Sequence, residues 1–354
     1  MVSSGRVETP IQSCPGTIQE PRSPSRQGRG IVAAAGFRPA WWLPGPHLQT
    51  LWAALARPRP RLPLRWETVP LPDGDFLELA WVAGVGTGPV VLVLHGLEGS
   101  ARSPYAAGLA ARLAAAGLRP AVMHLRGCGR RPNRGPCLYH SGMTGDLRAV
   151  LARLAATGRP AAAAVGYSLG GNLLLKHLGE AGAAAGLHAA VAVSVPFELA
   201  ACARRIRVGF SRVYERALLR HMRRSVRRRL ACVPLPGIGA VRLRGLASLR
   251  AFDAAVTAPL HGFAGVDDYY ARASCRPWLG RIRVPTLILH AADDPFVPPE
   301  AIPAPDELAP AVRLELAHRG GHVGFVAGAS PLRPRWWLEG RILDFLLERL
   351  AGSS

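Results

Sequence analysis

The chain has 354 residues, 49% of them hydrophobic and 19% charged, with 44 basic against 23 acidic side chains and a formal charge of +21. Such a composition excludes collagen-like, coiled-coil and disulfide-scaffold proteins, and the length admits one large domain or two ordinary ones with an extensive core. At face value the charge suggests nucleic acid or an anionic surface as partner, but it is regional: residues 201–250 hold 14 arginines and one acid, Glu215, while residues 251–354 carry 10 basic and 12 acidic side chains.

Lys176 is the only lysine, and with the abundance of Ala, Gly, Arg and Pro this reads as the codon bias of a GC-rich bacterial genome. The six cysteines form no C-x-x-C pair, so neither a zinc site nor a disulfide framework is indicated, and a reducing cytoplasm suits them. No apolar run approaches the ~20 residues of a membrane-spanning helix. The first residues also lack the charged and apolar regions of a secretory signal.

Residues 1–36 mix Ser, Pro, Gly, Arg and Gln without apolar periodicity and are expected to be a disordered extension. Leu64–Val69 and Phe76–Val82 partly alternate around the turn Pro72-Asp73-Gly74, which predicts a hairpin. Four short apolar runs follow, Pro89–Leu94, Pro120–Leu125, Ala161–Tyr167 and Ala189–Val195, and a fifth spans Val284–His290. Each has strand length and is apolar throughout, as strands covered on both faces of a parallel sheet should be. Helix-length stretches separate the first four: Pro104–Ala116, with Ser103 as N-cap, Thr144–Ala156 and Leu169–Ala181. Strand and helix in alternation predict a doubly wound α/β sheet, closed by a last strand, Val312–Leu316, and a last helix, Arg335–Leu350. Residues 196–280 interrupt the alternation after the sixth predicted strand. They read as a helical cap above the carboxyl ends of the strands, between core segments 37–195 and 281–354.

The strongest chemical signal is Gly166-Tyr167-Ser168-Leu169-Gly170, directly after a strand pattern and directly before a helical one. A serine hydroxyl becomes a useful nucleophile when a strained strand-to-helix elbow exposes it beside a base. An acid and then a histidine should follow on later loops. The first loop supplies Asp293-Asp294-Pro295 and the second His318-Arg319-Gly320-Gly321-His322. His322, between a glycine and Val323-Gly324, is the expected base and His318 the structural one; Asp294 is preferred to Asp293 as the acid, both being open. The oxyanion of an acyl-transfer intermediate needs two backbone donors. These are assigned to Leu169, after the serine, and to Leu97 in His95-Gly96-Leu97-Glu98-Gly99. His95 either faces substrate or shapes that loop.

The order serine, acid, histidine and the His95-Gly96 loop resemble the α/β-hydrolase fold. More specific stretches resemble its YheT-like branch, related to eukaryotic membrane-anchored α/β-hydrolase-domain lipases. They are Pro44-Gly45-Pro46-His47-Leu48-Gln49-Thr50, His124-Leu125-Arg126-Gly127-Cys128-Gly129, His140-Ser141-Gly142 with Asp146, Phe252-Asp253 through Thr257-Ala258-Pro259 to Asp268-Tyr269-Tyr270, and Arg319 to Phe325. The resemblance runs from about Phe37 to the C-terminus. It implies a serine hydrolase of carboxylic esters, short-chain or acylglycerol- and phospholipid-like, with Ser168, Asp294 and His322 as triad and no metal or organic cofactor. The membrane anchor of the eukaryotic relatives has no counterpart here, nor does the N-terminal extension have one in the family. Tyr167, Phe263, Tyr269 and Tyr270 are expected to border the substrate.

Within the cap, Leu219, Met222, Val226 and Leu230 recur at helical spacing, with Arg216, Arg220, Arg223, Arg224, Arg227 and Arg228 over the remaining surface. Such a helix either packs its apolar stripe on the core with its arginines in water, or lies on anionic lipid. Nucleic acid is disfavoured, since no aromatic side chains interleave with the arginines. The expectation is a cytoplasmic esterase that takes a small-molecule ester or lipid, with peripheral contact to an anionic membrane as the cap's second reading. Acyl transfer or thioester or amide cleavage on the same triad, and a non-catalytic protein that binds anionic surfaces, are the rivals.

Overall fold

An apolar strand of five to seven residues is stable in a sheet only when both its faces are covered, and a chain that alternates such strands with helices covers them from either side. The computed structural model describes Met1 and residues 30–34, 36–235, 238 and 242–351. In chain order these form β1 (Gly30–Ala33), α1 (Pro46–Ala56), β2 (Leu64–Pro70), β3 (Phe76–Val82), β4 (Val90–Leu94), α2 (Pro104–Ala115), β5 (Arg119–His124), α3 (Thr144–Ala156), β6 (Ala161–Tyr167), α4 (Leu169–Ala181) and β7 (Ala189–Val193). Between β7 and the next strand stand α5 (Leu199–Arg205), α6 (Ser211–Leu230), α7 (Leu249–Phe252), a π-helical turn over Asp253–Thr257, α8 (Ala258–Leu260) and α9 (Val266–Ala273). The chain then returns as β8 (Thr286–Ala291), β9 (Val312–Ala317), the two-residue strands β10 (Val326–Ala327) and β11 (Arg335–Trp336), and α10 (Trp337–Ala351).

The main sheet has the order β1-β9-β8-β7-β6-β4-β5-β3-β2 among the described residues. β2 and β3 form the antiparallel hairpin, β3 runs antiparallel to β5, and the other pairs are parallel. The two faces of each central strand enter different cores, as a period of two requires. Leu92 and Leu94 of β4 join Leu173, Leu174 and Ile288 on one side, and Val91 and Val93 join Leu109, Leu287 and Phe345 on the other.

Three local expectations need correction. Residues 1–36 are not without structure throughout: Gly30–Ala33 is β1, paired from Gly30↔Arg313 to Ala33↔Leu316, and residues 2–29 lie outside the described residues. The last helix starts at Trp337, because Arg335 and Trp336 pair with β10. Ser103 holds the N-cap position of α2, but its hydroxyl accepts from Ser100 N at 3.0 Å and not from the helix. Among the described residues no helix is long and apolar enough to cross a membrane.

A carboxylate is buried near the β1 edge of the sheet. Glu315 on β9 is fully covered and accepts from Arg341 Nε at 2.9 Å and Nη2 at 2.5 Å, with Arg313 Nη2 at 3.1 Å. A buried carboxylate without its cations is costly, and cations without their carboxylate lose a charge-assisted partner. Glu315→Ala should therefore lower the unfolding free energy by roughly 2–3 kcal/mol in urea titrations; a change within experimental scatter would show that the ion pair does not fasten α10 to β9.

Candidate active site

The site begins at the end of β6. Ser168 has φ 50 and ψ −117, a left-handed backbone that a non-glycine residue adopts only under constraint. The constraint is the short path from β6 into α4, which leaves no space beside it. A Cβ on Gly166 would lie 2.4 Å from Gly170 O, and one on Gly170 would lie 2.6 Å from the carbonyl oxygens of both Leu94 and His95. The glycine-flanked motif is thus a packing requirement, and its effect is to raise the Ser168 side chain above the carboxyl edge of the sheet.

His322 meets it from the loop after β9. Its Nε2 lies 3.0 Å from Ser168 Oγ and its Nδ1 2.8 Å from Asp294 Oδ2. The carboxylate fixes Nδ1 as the protonated nitrogen and leaves Nε2 to accept the serine hydroxyl. Phe296 stacks on the imidazole, with ring centroids 4.1 Å apart and planes 11° from parallel, and its N–H donates to Asp294 Oδ1 at 2.8 Å. Burial pushes the Asp294 carboxyl up, yet the adjoining His322 and the hydrogen bonds it accepts hold it below the usual carboxylate value.

The loop that carries His322 is tied from several directions. Asp293 Oδ1 accepts from the amides of Gly320 and Gly321 at 2.8 and 2.9 Å, so the two adjacent aspartates have different partners. Burial outweighs these bonds and raises the Asp293 pKa. Thr50 Oγ1 accepts from His322 N at 2.9 Å, and Ser194 Oγ from Val323 N at 2.9 Å. Gln49 bonds Val326 through both ends of its amide, and Arg57 donates to the carbonyls of Val323 and Gly324. None of Gln49, Thr50, Arg57 and Ser194 was singled out for a role from the sequence; the Pro44–Thr50 stretch was the signal present there.

The loop after β4 offers one free donor. Gly96 N donates to Tyr105 OH at 2.8 Å, Glu98 N to Tyr139 OH at 2.9 Å and Gly99 N to Gly96 O at 3.0 Å, whereas Leu97 N has no acceptor among the described residues. Leu169 N stands in the first turn of α4, where amides have no intrahelical acceptor. Both residues border a cavity of about 800 Å³ that also contains Ser168 and His322. Leu51 and Ala54 of α1 form one wall, and Tyr214, Leu218, Met222 and Val226 of α6 form the roof.

The other expected residues divide. Tyr269 and Tyr270 border the cavity, the first bonded to Ser141 Oγ at 3.0 Å and the second donating to Asp253 Oδ2 at 2.8 Å. Tyr167 borders it too, but its ring is fully buried against Tyr105, with centroids 4.6 Å apart. Phe263 does not reach it and packs behind, on His140 and Tyr269. His95 is corrected as a substrate-facing residue: it is fully buried, with Nδ1 2.7 Å from Gly96 O and Nε2 accepting from Leu125 N at 3.2 Å, so it shapes the loop. Burial drives its pKa down to about 3, which keeps it neutral. Among the described residues no group of three His, Cys, Asp or Glu side chains could hold a metal.

Residues 89–231 and 260–329 match the sequence model described as the alpha/beta hydrolase fold, and the chain belongs to that family. Within it the chain belongs with YheT: "Putative esterase YheT" of Escherichia coli K12 is 44% identical over 328 residues, 91% of this chain and 96% of that protein. "Phospholipase ABHD3" of Mus musculus is 30% identical over 85% of this chain and 75% of its own length. Among solved structures, the α/β hydrolase GrgF from Penicillium sp. sh18 superposes with a TM-score of 0.55 at 18% identity, over 82% of this chain and all of that one, a likeness of fold.

Asp253, on the cavity wall, has a titration that can be followed. Burial raises its carboxyl to about 6, against the hydrogen bonds from Thr257 and Tyr270 that favour the charged form. A carboxyl whose pKa is higher in the folded state than in the unfolded one favours folding while protonated, and that contribution is lost as pH rises from about 4 through 6. Relative to wild type, Asp253→Asn should gain stability across this window by about 3 kcal/mol and then level off. Paired thermal melts from pH 4 to 7 measure it; a constant difference would show that Asp253 does not titrate there.

Proposed function

We propose that the protein is a serine hydrolase of carboxylic esters that works through an acyl-enzyme on Ser168. The observation that carries this reading is the hydrogen-bonded series Asp294–His322–Ser168 at the floor of a largely apolar cavity. As an ester carbonyl enters, Ser168 Oγ attacks its carbon while His322 Nε2 takes the hydroxyl proton. The negative charge that develops on the carbonyl oxygen is met by the amides of Leu97 and Leu169, fixed donors that need no reorganisation. Asp294 keeps the imidazole oriented and stabilises its cation. When the intermediate collapses, the C–O bond to the alcohol breaks and His322 returns the proton to the leaving oxygen. Water then repeats the sequence with His322 as base, releasing the acid and restoring Ser168.

The apolar walls suit an acyl chain, and the names borne by the YheT and ABHD3 relatives, an esterase and a phospholipase, support an ester of short-chain or lipid type. Asp293 has a different part in this reading, as the acceptor that holds the His322 loop in register.

A fluorophosphonate probe should label the wild type and fail to label Ser168→Ala. Asp294→Asn should lower kcat for p-nitrophenyl butyrate by roughly 10⁴-fold, and Asp293→Ala by about 10-fold through displacement of the loop. Labelling that survives Ser168→Ala, or equal losses at the two aspartates, would overturn these assignments.

A further inference from the structure

The charges around the cavity are unbalanced. Six arginines border it, Arg57, Arg126, Arg130, Arg131, Arg228 and Arg229, against two carboxylates, Glu98 and Asp253. Four of the six are already paired. Arg57 faces Glu339, Arg126 is held by Asp146 and Asp73, and Arg130 and Arg131 share Glu78. The other two stand together near the end of α6, and among the described residues neither has a carboxylate within ion-pair distance.

Arg229 is the anomaly. Only 4% of its surface is exposed, and although one Nη donates to Asn133 O, its Nε and second Nη have no hydrogen-bond partner among the described residues. A guanidinium carries five donors in a planar fork, and burying it incompletely paired is among the more expensive arrangements in a protein interior. Replacement by an apolar side chain would ordinarily be an improvement. Its neighbour Arg228 is exposed, donates to Ser225 Oγ at 3.1 Å and reaches the same stretch of cavity.

The position relative to Ser168 is fixed by the sheet. Asn133, which holds Arg229, belongs to the loop after β5 and donates to Phe76 O at the start of β3, whereas Ser168 follows β6; the order β6-β4-β5-β3 puts the two on opposite sides of β4 and β5. Leu218, Met222 and Val226 roof the space between Tyr214, near His322, and this end. The cavity therefore joins a reacting centre, an apolar middle and a cationic end.

We propose that Arg229, with Arg228, forms an anion subsite, and that the substrate is an ester carrying a phosphate or carboxylate apart from its scissile carbonyl. The subsite rests on the ester-hydrolase reading for its purpose, though not for its chemistry: an oxyanion group supplies the acceptors that Arg229 lacks and a countercharge for both guanidinium groups. Water cannot do so as well, because it leaves the charge uncompensated.

The test uses three soluble esters that share one hexanoyl chain: 1-hexanoylglycerol, its 3-phosphate, and an ester whose alcohol ends in a carboxylate. Wild-type kcat/KM should favour at least one anionic ester over the neutral one, and Arg229→Met should reduce that ratio by roughly 10- to 100-fold. The arm that responds identifies the oxyanion. The melting temperature of Arg229→Met should equal or exceed that of wild type, which excludes misfolding as the cause. Calorimetric binding to Ser168→Ala separates the two claims. Tight binding of an anionic ester there, lost on adding Arg229→Met, supports the subsite even if wild type hydrolyses none of the three. Hydrolysis of all three with no anionic preference, or a ratio unmoved by Arg229→Met, overturns it.

Discussion

The site depends on one backbone constraint, the left-handed conformation of Ser168 between β6 and α4. A residue in this region costs on the order of 1 kcal/mol or more, and it persists because its surroundings allow no alternative. Gly166 and Gly170 let the elbow close against the end of β4, and the amide of Leu169 is left free by the same turn. The positions of the candidate nucleophile and of one candidate oxyanion donor are thus two consequences of a single fold in the chain. The opposing loop is fastened separately. The amides of His322 and of its neighbours are held by Thr50 from α1, by Asp293 from the loop after β8, at Gly320 and Gly321, and by Ser194 from the end of β7, at Val323, while Asp294 takes the imidazole itself. Three separate stretches of chain converge on the loop that carries one imidazole, so its orientation is a property of the assembled fold.

The helices between β7 and β8 close the site from above and carry most of the excess charge. On α6 the stripe Leu219, Met222 and Val226 is buried against Leu235, Leu243, Phe252 and Val256, while Arg216, Arg220, Arg224 and Arg227 are exposed. The apolar face is therefore committed to packing. Charge divides accordingly into an outward set that meets solvent and, at the cavity end, the buried Arg229 with the exposed Arg228 beside it.

The core strands were legible because strands covered on both faces leave uninterrupted apolar runs, and β4, β6 and β7 fall within one or two residues of the runs that predict them. The elbow was legible because its geometry needs specific small residues. β1 was not. Its four residues sit in Gly- and Ser-rich sequence, and what makes them a strand is pairing with β9 some 280 positions away. Asp293 and Asp294 could be ranked but not resolved, since adjacent side chains on a loop point to different partners only once the loop is folded. His95 lies two residues before Leu97, the candidate oxyanion donor, yet faces the interior, because its Nε2 satisfies the amide of Leu125. Arg229 illustrates the limit of periodicity: it falls seven residues after Met222, on the buried face, and among the eleven arginines from 204 to 229 only tertiary packing shows which one is turned in.

The most direct measurement is the mass of the protein during turnover. After rapid acid quench from p-nitrophenyl butyrate, the account predicts a butyryl adduct on the tryptic peptide that contains Ser168, and its absence in Ser168→Ala together with loss of hydrolysis. An adduct on any other residue, or hydrolysis that persists without Ser168, would contradict it.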